Sequence, residues 1–445
     1  MSQTADRVAR LRGSAVDRAA RRGLTVALVL MVAAVLVPAL AGWNVRVNSF
    51  PPLHARWDPR WGVGTVPALA LAVLLGHGFA GRARSLRWRT LLLVTFLAGL
   101  AWMLSLALVD GISGVGHILG TDYEYLQTAR ATDDLPATLR EYVSRIRYDA
   151  APDNWPVHIA GHPPGALVFF VALVRIGLGS GLAAGVVVVL LAATTAVATL
   201  VTVRTLGAED LARRAAPYLV VGPAAIWQAV SADAMFAAVA AWGLAALAAA
   251  STRRSVTWAL LAGLLLGYCV MLSYGLPLLG VLALAVMWLG GSWRPLVPAA
   301  LAALGVVAVF HAFGFSYAEA LPAIRDRYFE GVGGRRPAAY WLWGGPAALL
   351  FATGPLLGAG LGALAAQAHR RAVGAVAALS GAAVVSVLLA TASQMSKAEV
   401  ERIWLPFVPW LLLSCALLPD RWQRPALAAQ AGFALLVQHL LFTGW

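Results

Sequence analysis

Residues 110 to 163 gather Asp110, Asp122, Glu124, Asp133, Asp134, Glu141, Asp149 and Asp153 with His117, His158 and His162, between long apolar runs. Positioned carboxylates take protons from hydroxyl groups, and imidazoles shuttle protons or meet anions. Thr121 or Asp122 is placed to cap a short helix. On a helix Asp122 and Glu124 would point about 200° apart, so the two carboxylates are expected to have different jobs. Asp133-Asp134-Leu135-Pro136 reads as a second helix start with proline in the first turn, running to about Arg147. The stretch closes on Gly161-His162-Pro163-Pro164-Gly165, a turn feeding another helix. A helix N-terminus attracts anions. His162 therefore stands either beside a phosphate site or at a rigid helix start with a solvated ring.

Two further polar segments carry cations. One runs through Arg325, Asp326, Arg327, Arg335 and Arg336, the other through Lys397, Glu399, Glu401 and Arg402. Guanidinium groups grip phosphate bidentately, but Asp326, Glu399 and Glu401 can equally neutralise them, so both roles stay open. Asp233 opens an apolar run in Ser231-Ala232-Asp233-Ala234. Trp155, Tyr328, Tyr340, Trp341, Trp343 and Trp404 suit an interfacial belt, with a few able to stack on sugar rings. No carboxylate spacing demands a metal, although Mg²⁺ or Mn²⁺ stays possible. Cys269 and Cys415 fall inside apolar runs and are expected to be packing residues.

The elements that position these groups are membrane helices. The chain is 60% hydrophobic and 12% charged, with a mean hydropathy of +0.75. Its apolar runs recur from end to end, and a bilayer span needs roughly 20 residues. The expectation is an all-α, polytopic bundle, one integral-membrane domain over 1–445. The net charge of +14 does not point to nucleic acid, because the arginines sit in short clusters between spans. Candidate spans are 24–43, 64–81, 90–109, 181–203, 216–230, 233–251, 256–272, 275–290, 295–314, 341–365, 373–391, 403–418 and 425–442. Ala39-Leu40-Ala41 resembles a signal-peptidase site, but the preceding run is long enough for an uncleaved anchor.

The run 166–178 is too short to cross, at roughly 20 Å as a helix, and it contains Arg175. If it lies at the interface, one side holds 20 basic and 5 acidic residues and the other 14 and 15. That satisfies the positive-inside rule. Thirteen spans follow, with the basic tail 1–23 cytoplasmic and the segments 110–180, 315–340 and 392–402 outside.

With these features the chain resembles the GT-C class of membrane glycosyltransferases, which use polyprenyl-phosphate-linked sugars. The resemblance is carried by the acidic loop with Asp122-Tyr123-Glu124-Tyr125, by His162-Pro163-Pro164 and the interfacial helix after it, and by Asp233. In that class the acidic loop usually follows the first span; here it follows the third. The soluble carboxy-terminal domain of several members has no counterpart in this sequence. The resemblance implies transfer of a sugar from a polyprenyl phosphate to an acceptor hydroxyl of an envelope glycan, lipid or protein, with inversion and no cofactor. Asp122 is the first choice as general base, with Asp110 and Glu124 in reserve. His162, Asp233, Arg325, Arg327, Arg336, Lys397, Glu401 and Arg402 would bind substrate, the cations steadying the leaving phosphate. The location implied is a bacterial plasma membrane with the site on the outer face. The alternatives are a transporter or flippase, for which Ser273-Tyr274-Gly275-Leu276-Pro277 and Gly344-Gly345-Pro346 are the candidate helix breaks, and a non-catalytic assembly or polymerase partner.

Overall fold

A computed structural model describes residues 2–444, with side chains from Ser14 onward, as an almost wholly helical chain. Helix α1 (Ser2–Leu40) leads into a loop containing the short strand β1 (Arg56–Trp57), then α2 (Thr65–Ser85) and α3 (Trp88–Ala107). A polar excursion follows with four short helices, α4 (Leu126–Arg130), α5 (Leu135–Glu141), α6 (Val157–Gly161) and α7 (Gly165–Arg175). Next come α8 (Gly181–Thr205), α9 (Glu209–Val220), α10 (Ala224–Ala229), α11 (Ala232–Arg253), α12 (Val256–Leu272) and α13 (Leu279–Leu289). The chain continues through α14 (Leu296–Ala312), α15 (Tyr317–Glu330), α16 (Val332–Arg335), α17 (Ala338–Thr353), α18 (Leu356–Ala365) and α19 (Gly374–Ser393). It closes with α20 (Val400–Ile403), α21 (Val408–Leu412), α22 (Gln423–Leu440) and β2 (Leu441–Phe442), which pairs antiparallel with β1.

This is a multi-pass helical membrane protein. Among the described residues six helices, α1, α2, α3, α8, α11 and α19, are long and apolar enough to cross a bilayer, or eight spans if the bent pairs α14–α15 and α17–α18 each count as one. Several expected spans are not continuous helices. The run 216–230 breaks at Gly222-Pro223, 341–365 turns by 104° at Gly354-Pro355, and 403–418 divides into α20, α21 and a 3₁₀ turn over Leu413–Leu417. Proline removes an amide and clashes with the preceding turn, and Gly354 adopts a left-handed φ of +80° that glycine tolerates. Each break frees a carbonyl, which costs several kcal/mol if left bare in lipid. Trp102 Nε1 donates to the carbonyl of Gly222 at 3.2 Å, and Gln430 Nε2 to that of Thr353 at 2.7 Å. A Cβ on Gly354 would lie 1.9 Å from Gln430 Oε1, so the same amide also forbids a side chain there.

The excursion after α3 is tied down by specific bonds. Asp134 caps α5 by accepting from the Ala137 amide at 2.9 Å, with Pro136 in the first turn as expected. The helix ends at Glu141, short of Arg147. Neither Thr121 nor Asp122 caps α4; residues 121–125 form turns instead. Tyr142 Oη donates to the carbonyls of Ile159 (2.7 Å) and His162 (3.1 Å), and Trp155 Nε1 donates to the Tyr142 carbonyl at 2.8 Å. The ring of Tyr125 stacks on Phe170 of α7 with centroids 5.2 Å apart. Helix α7, about 16 Å long, packs against α4 and α12. These bonds hold α6 and the His-Pro-Pro turn over the start of α11.

Candidate active site

Between α19 and α20 the backbone passes through the left-handed region at Gln394, Ala398 and Glu399, with φ of 57°, 66° and 59°. That conformation costs an L-residue roughly 1–2 kcal/mol, and it persists only where the surroundings fix it, often at functional sites. The strained turn delivers Lys397, Glu399, Glu401 and Arg402 to one end of the bundle.

Arg402 is 2% exposed. Its Nη1 bonds the carboxylate of Asp233 in the first turn of α11. Its Nη2 donates to Glu399 Oε2 at 2.8 Å and lies 3.1 Å from His158 Nε2. A guanidinium only donates, so His158 Nε2 accepts and the imidazole proton sits on Nδ1. That nitrogen faces Glu124 Oε1 at 3.1 Å. Glu124 is 1% exposed, and among the described residues its second oxygen, Oε2, has no hydrogen-bond partner. The chain Glu124–His158–Arg402–Asp233 thus joins the turn before α4, α6, α20 and α11. His158 is engaged at both nitrogens, whereas Glu124 uses only one of its two oxygens within this chain of bonds.

The neighbouring titratable groups are strongly biased. Burial pushes the Glu399 carboxyl upward, but Arg402, with His158 and His54, outweighs it and holds the group down at about 2. Burial lifts Glu401 to about 7; hydrogen bonds from its own backbone and from His54 oppose the rise without cancelling it. His162 is buried against Tyr125 and Phe236. Burial lowers its pKa against the opposing pull of Asp233 and of its bond to the His158 carbonyl at 2.8 Å. His162 therefore acts as a buried hydrogen-bonding ring at the start of α7 rather than as a solvated cation.

A cationic pair adjoins this acidic cluster. Lys397 Nζ donates to the carbonyls of Gly333 (3.3 Å) and Arg336 (3.2 Å), while Arg336 donates to those of Lys397 (2.5 Å) and Arg46 (3.2 Å). Both side chains are buried, and among the described residues neither has a carboxylate within ion-pair distance. Tyr328 and the rings of Trp341 and Phe329 also contact the pair, but two desolvated positive charges without a carboxylate have capacity for an anion.

The remaining expected site residues lie elsewhere. Asp122 is exposed and Glu124 buried, two residues apart in the irregular turn over 121–125. Asp110 is bound by Arg60 and by Gln438 at 2.9 Å, which ties the loop to α22. Arg325 is exposed beside Phe329. Arg327 is buried, but it is consumed by the carbonyls of Ile146 (2.6 Å) and Trp155 (2.8 Å) and serves to hold the loop. Cys269 and Cys415 are both free and buried. Among the described residues no group of three His, Cys, Asp or Glu side chains is placed to hold a metal ion.

His158, Glu399 and His54 were not singled out from the sequence as site residues. The spacing of His158 and His162, one helical turn apart, is the signal that pairs them; His54 lies in the loop after α1, far in sequence from any other site residue. No family model matches this chain, and no curated protein gives a significant match.

Proposed function

We propose that this protein is a GT-C-like glycosyltransferase that moves a sugar from a polyprenyl-phosphate donor to an acceptor hydroxyl of the cell envelope. In this proposal the chain makes thirteen passes of a bacterial plasma membrane, and the Arg402 cluster lies at the outer face. One arrangement carries the reading: a buried carboxylate with an unpartnered oxygen, Glu124, and a buried cation pair without a carboxylate, Arg336 and Lys397, are both tied to the strained turn 397–402, the first through His158 and Arg402.

Glu124 Oε2 takes the proton of the acceptor hydroxyl as its oxygen attacks the anomeric carbon. The bond from that carbon to the phosphate oxygen breaks, and the departing lipid phosphate is neutralised by Arg336 and Lys397. Attack opposite the leaving group inverts the anomeric centre. Glu124 replaces Asp122 in the base role because only Glu124 is buried within the cluster. Asp233 and Glu399 fix Arg402, which in turn fixes His158 behind Glu124.

The broken helices at Gly222-Pro223 and Gly354-Pro355 favour the second reading, a transporter or flippase, since such breaks commonly form transport sites. Here the carbonyls that they free are already taken by Trp102 and Gln430, which leaves the transferase better supported. Purified protein given polyprenyl-phosphate-linked hexose and pentose donors should release the free lipid phosphate. Glu124→Gln should lower kcat by about a hundredfold or more, and Lys397→Ala should chiefly raise KM for the donor. Full release from the Glu124→Gln protein would remove the proposed base.

A further inference from the structure

The loop between α1 and α2 places a second polar pair beside the cluster. The amide of His54 donates to Glu401 Oε1 at 3.2 Å. The other carboxyl oxygen, Glu401 Oε2, and His54 Nδ1 are both buried and, among the described residues, both without a hydrogen-bond partner. Glu401 is itself 1% exposed. Orphaned polar atoms in a protein interior each cost about 1–3 kcal/mol, and native proteins hold few of them. Two on adjoining residues, next to Glu399 and Arg402, call for a ligand that supplies the missing bonds.

The loop presents His54 rigidly. Strand β1 pairs with β2, the Asp58 amide donates to the Leu440 carbonyl at 2.9 Å, and the Arg60 amide to that of His439 at 2.8 Å. Arg60 also grips Asp110, and Phe50 packs edge-on against Phe351 with centroids 6.1 Å apart. His54 therefore cannot swing away to find water without dismantling several contacts. Glu399, with a quarter of its side chain exposed, is the least buried carboxylate bonded to Arg402.

We propose that Glu401 Oε2 and His54 Nδ1 form a subsite that reads one hydroxyl of the transferred sugar. A hydroxyl both donates and accepts, so it can satisfy a carboxyl oxygen and a ring nitrogen at once; an apolar group can satisfy neither. The pair thus sets which sugar is used, as a specificity-determining element outside the proton transfer itself. The inference rests on the glycosyltransferase reading above.

The test is binding of decaprenyl-phosphate-linked sugar, the same donor lacking one ring hydroxyl at each position in turn, and bare decaprenyl phosphate to the purified full chain. The wild type should bind the full donor more tightly than one of the deoxy donors by about tenfold or more. Glu401→Ala and His54→Ala should erase that discrimination while leaving affinity for the bare lipid phosphate unchanged, which also certifies that the variants are folded. Glu401→Gln, which keeps a polar group of the same shape, should retain most of it. Unchanged discrimination in both alanine variants overturns the subsite and leaves the transferase reading standing, as does an equal loss for sugar-linked and bare lipid. Failure of the wild type to bind either lipid overturns both.

Discussion

Glu124 accepts a hydrogen bond from His158 Nδ1 at 3.1 Å through one carboxylate oxygen, and the other has no partner among the described residues. The imidazole cannot turn to serve elsewhere, because Arg402 occupies its second nitrogen at 3.1 Å. One oxygen of the carboxylate is used for orientation, and the other is kept for chemistry.

This division predicts an unequal response to two conservative changes at His158. Asparagine places its amide nitrogen near the Nδ1 position and preserves the donor to Glu124, whereas glutamine reaches toward Arg402 and abandons Glu124. His158→Asn should keep kcat within about tenfold of wild type, and His158→Gln should lower it by roughly a further tenfold, the worth of one charge-assisted bond. Steady-state donor turnover measures both. The reverse order would mean that His158 matters through Arg402 and not through Glu124.

Arg402 and Asp233 form a buried ion pair, 3% and 2% exposed in their side chains. Removing one member of such a pair strands the other charge at about 3–5 kcal/mol. Arg402→Gln should therefore lower the thermal midpoint in detergent markedly, since Glu399 is stranded as well. Adding Asp233→Asn should recover part of the loss, with a coupling energy of about 0.5–3 kcal/mol. Simple additivity of the two substitutions would show that they do not interact.

Glu401 and Glu399 predict opposite responses to pH. Burial raises Glu401 from 4.5 to about 7. Between those values the folded chain holds a proton that the unfolded chain has released, so stability falls as pH rises through this window, by on the order of 3 kcal/mol. Glu399 is held down at about 2, so its contribution is present above the unfolded value of 4.5 and disappears as pH falls toward 2. Burial depresses His54 and His162, and their stabilisation grows as pH rises toward 6.5, the ordinary value. Arg402, facing both glutamates, stays charged throughout. Thermal midpoints in detergent from pH 4.5 to 8 should thus fall less steeply than Glu401 alone implies. In Glu401→Gln they should rise with pH instead, because only the histidine contributions remain. An identical profile in wild type and variant would exclude a proton on Glu401.

Much of this arrangement is legible in the sequence. The His162-Pro163-Pro164 turn, the Asp134 cap, Asp233 at the head of its helix and the short run after Gly165 all follow from local rules of helix starts and lengths. The helix breaks also carry a signal, since Gly222-Pro223 and Gly354-Pro355 are strong punctuators, but the surrounding apolar runs mask them. The choice of Glu124 over Asp122 is not legible, because it depends on a turn whose side-chain directions have no period. The left-handed pair Ala398-Glu399 has no marker at all, since neither residue favours that conformation. Without that turn, Lys397, Glu399, Glu401 and Arg402 would read as alternating surface charges. Arg327 shows the converse, an arginine that reads as a phosphate ligand and is spent on two carbonyls.

Gln430 has a consequence for the order in which the protein is made. It lies 77 residues after Thr353, whose carbonyl it satisfies, and its amide also approaches Gly222 to within 3.3 Å of where a Cβ would sit. The break at Gly354-Pro355 therefore leaves the ribosome well before its partner, whereas Trp102, the partner of Gly222, precedes its own break. Until α22 inserts, the Thr353 carbonyl at the Gly354 kink needs another partner, such as water or the insertion machinery, and the arrival of α22 removes that need.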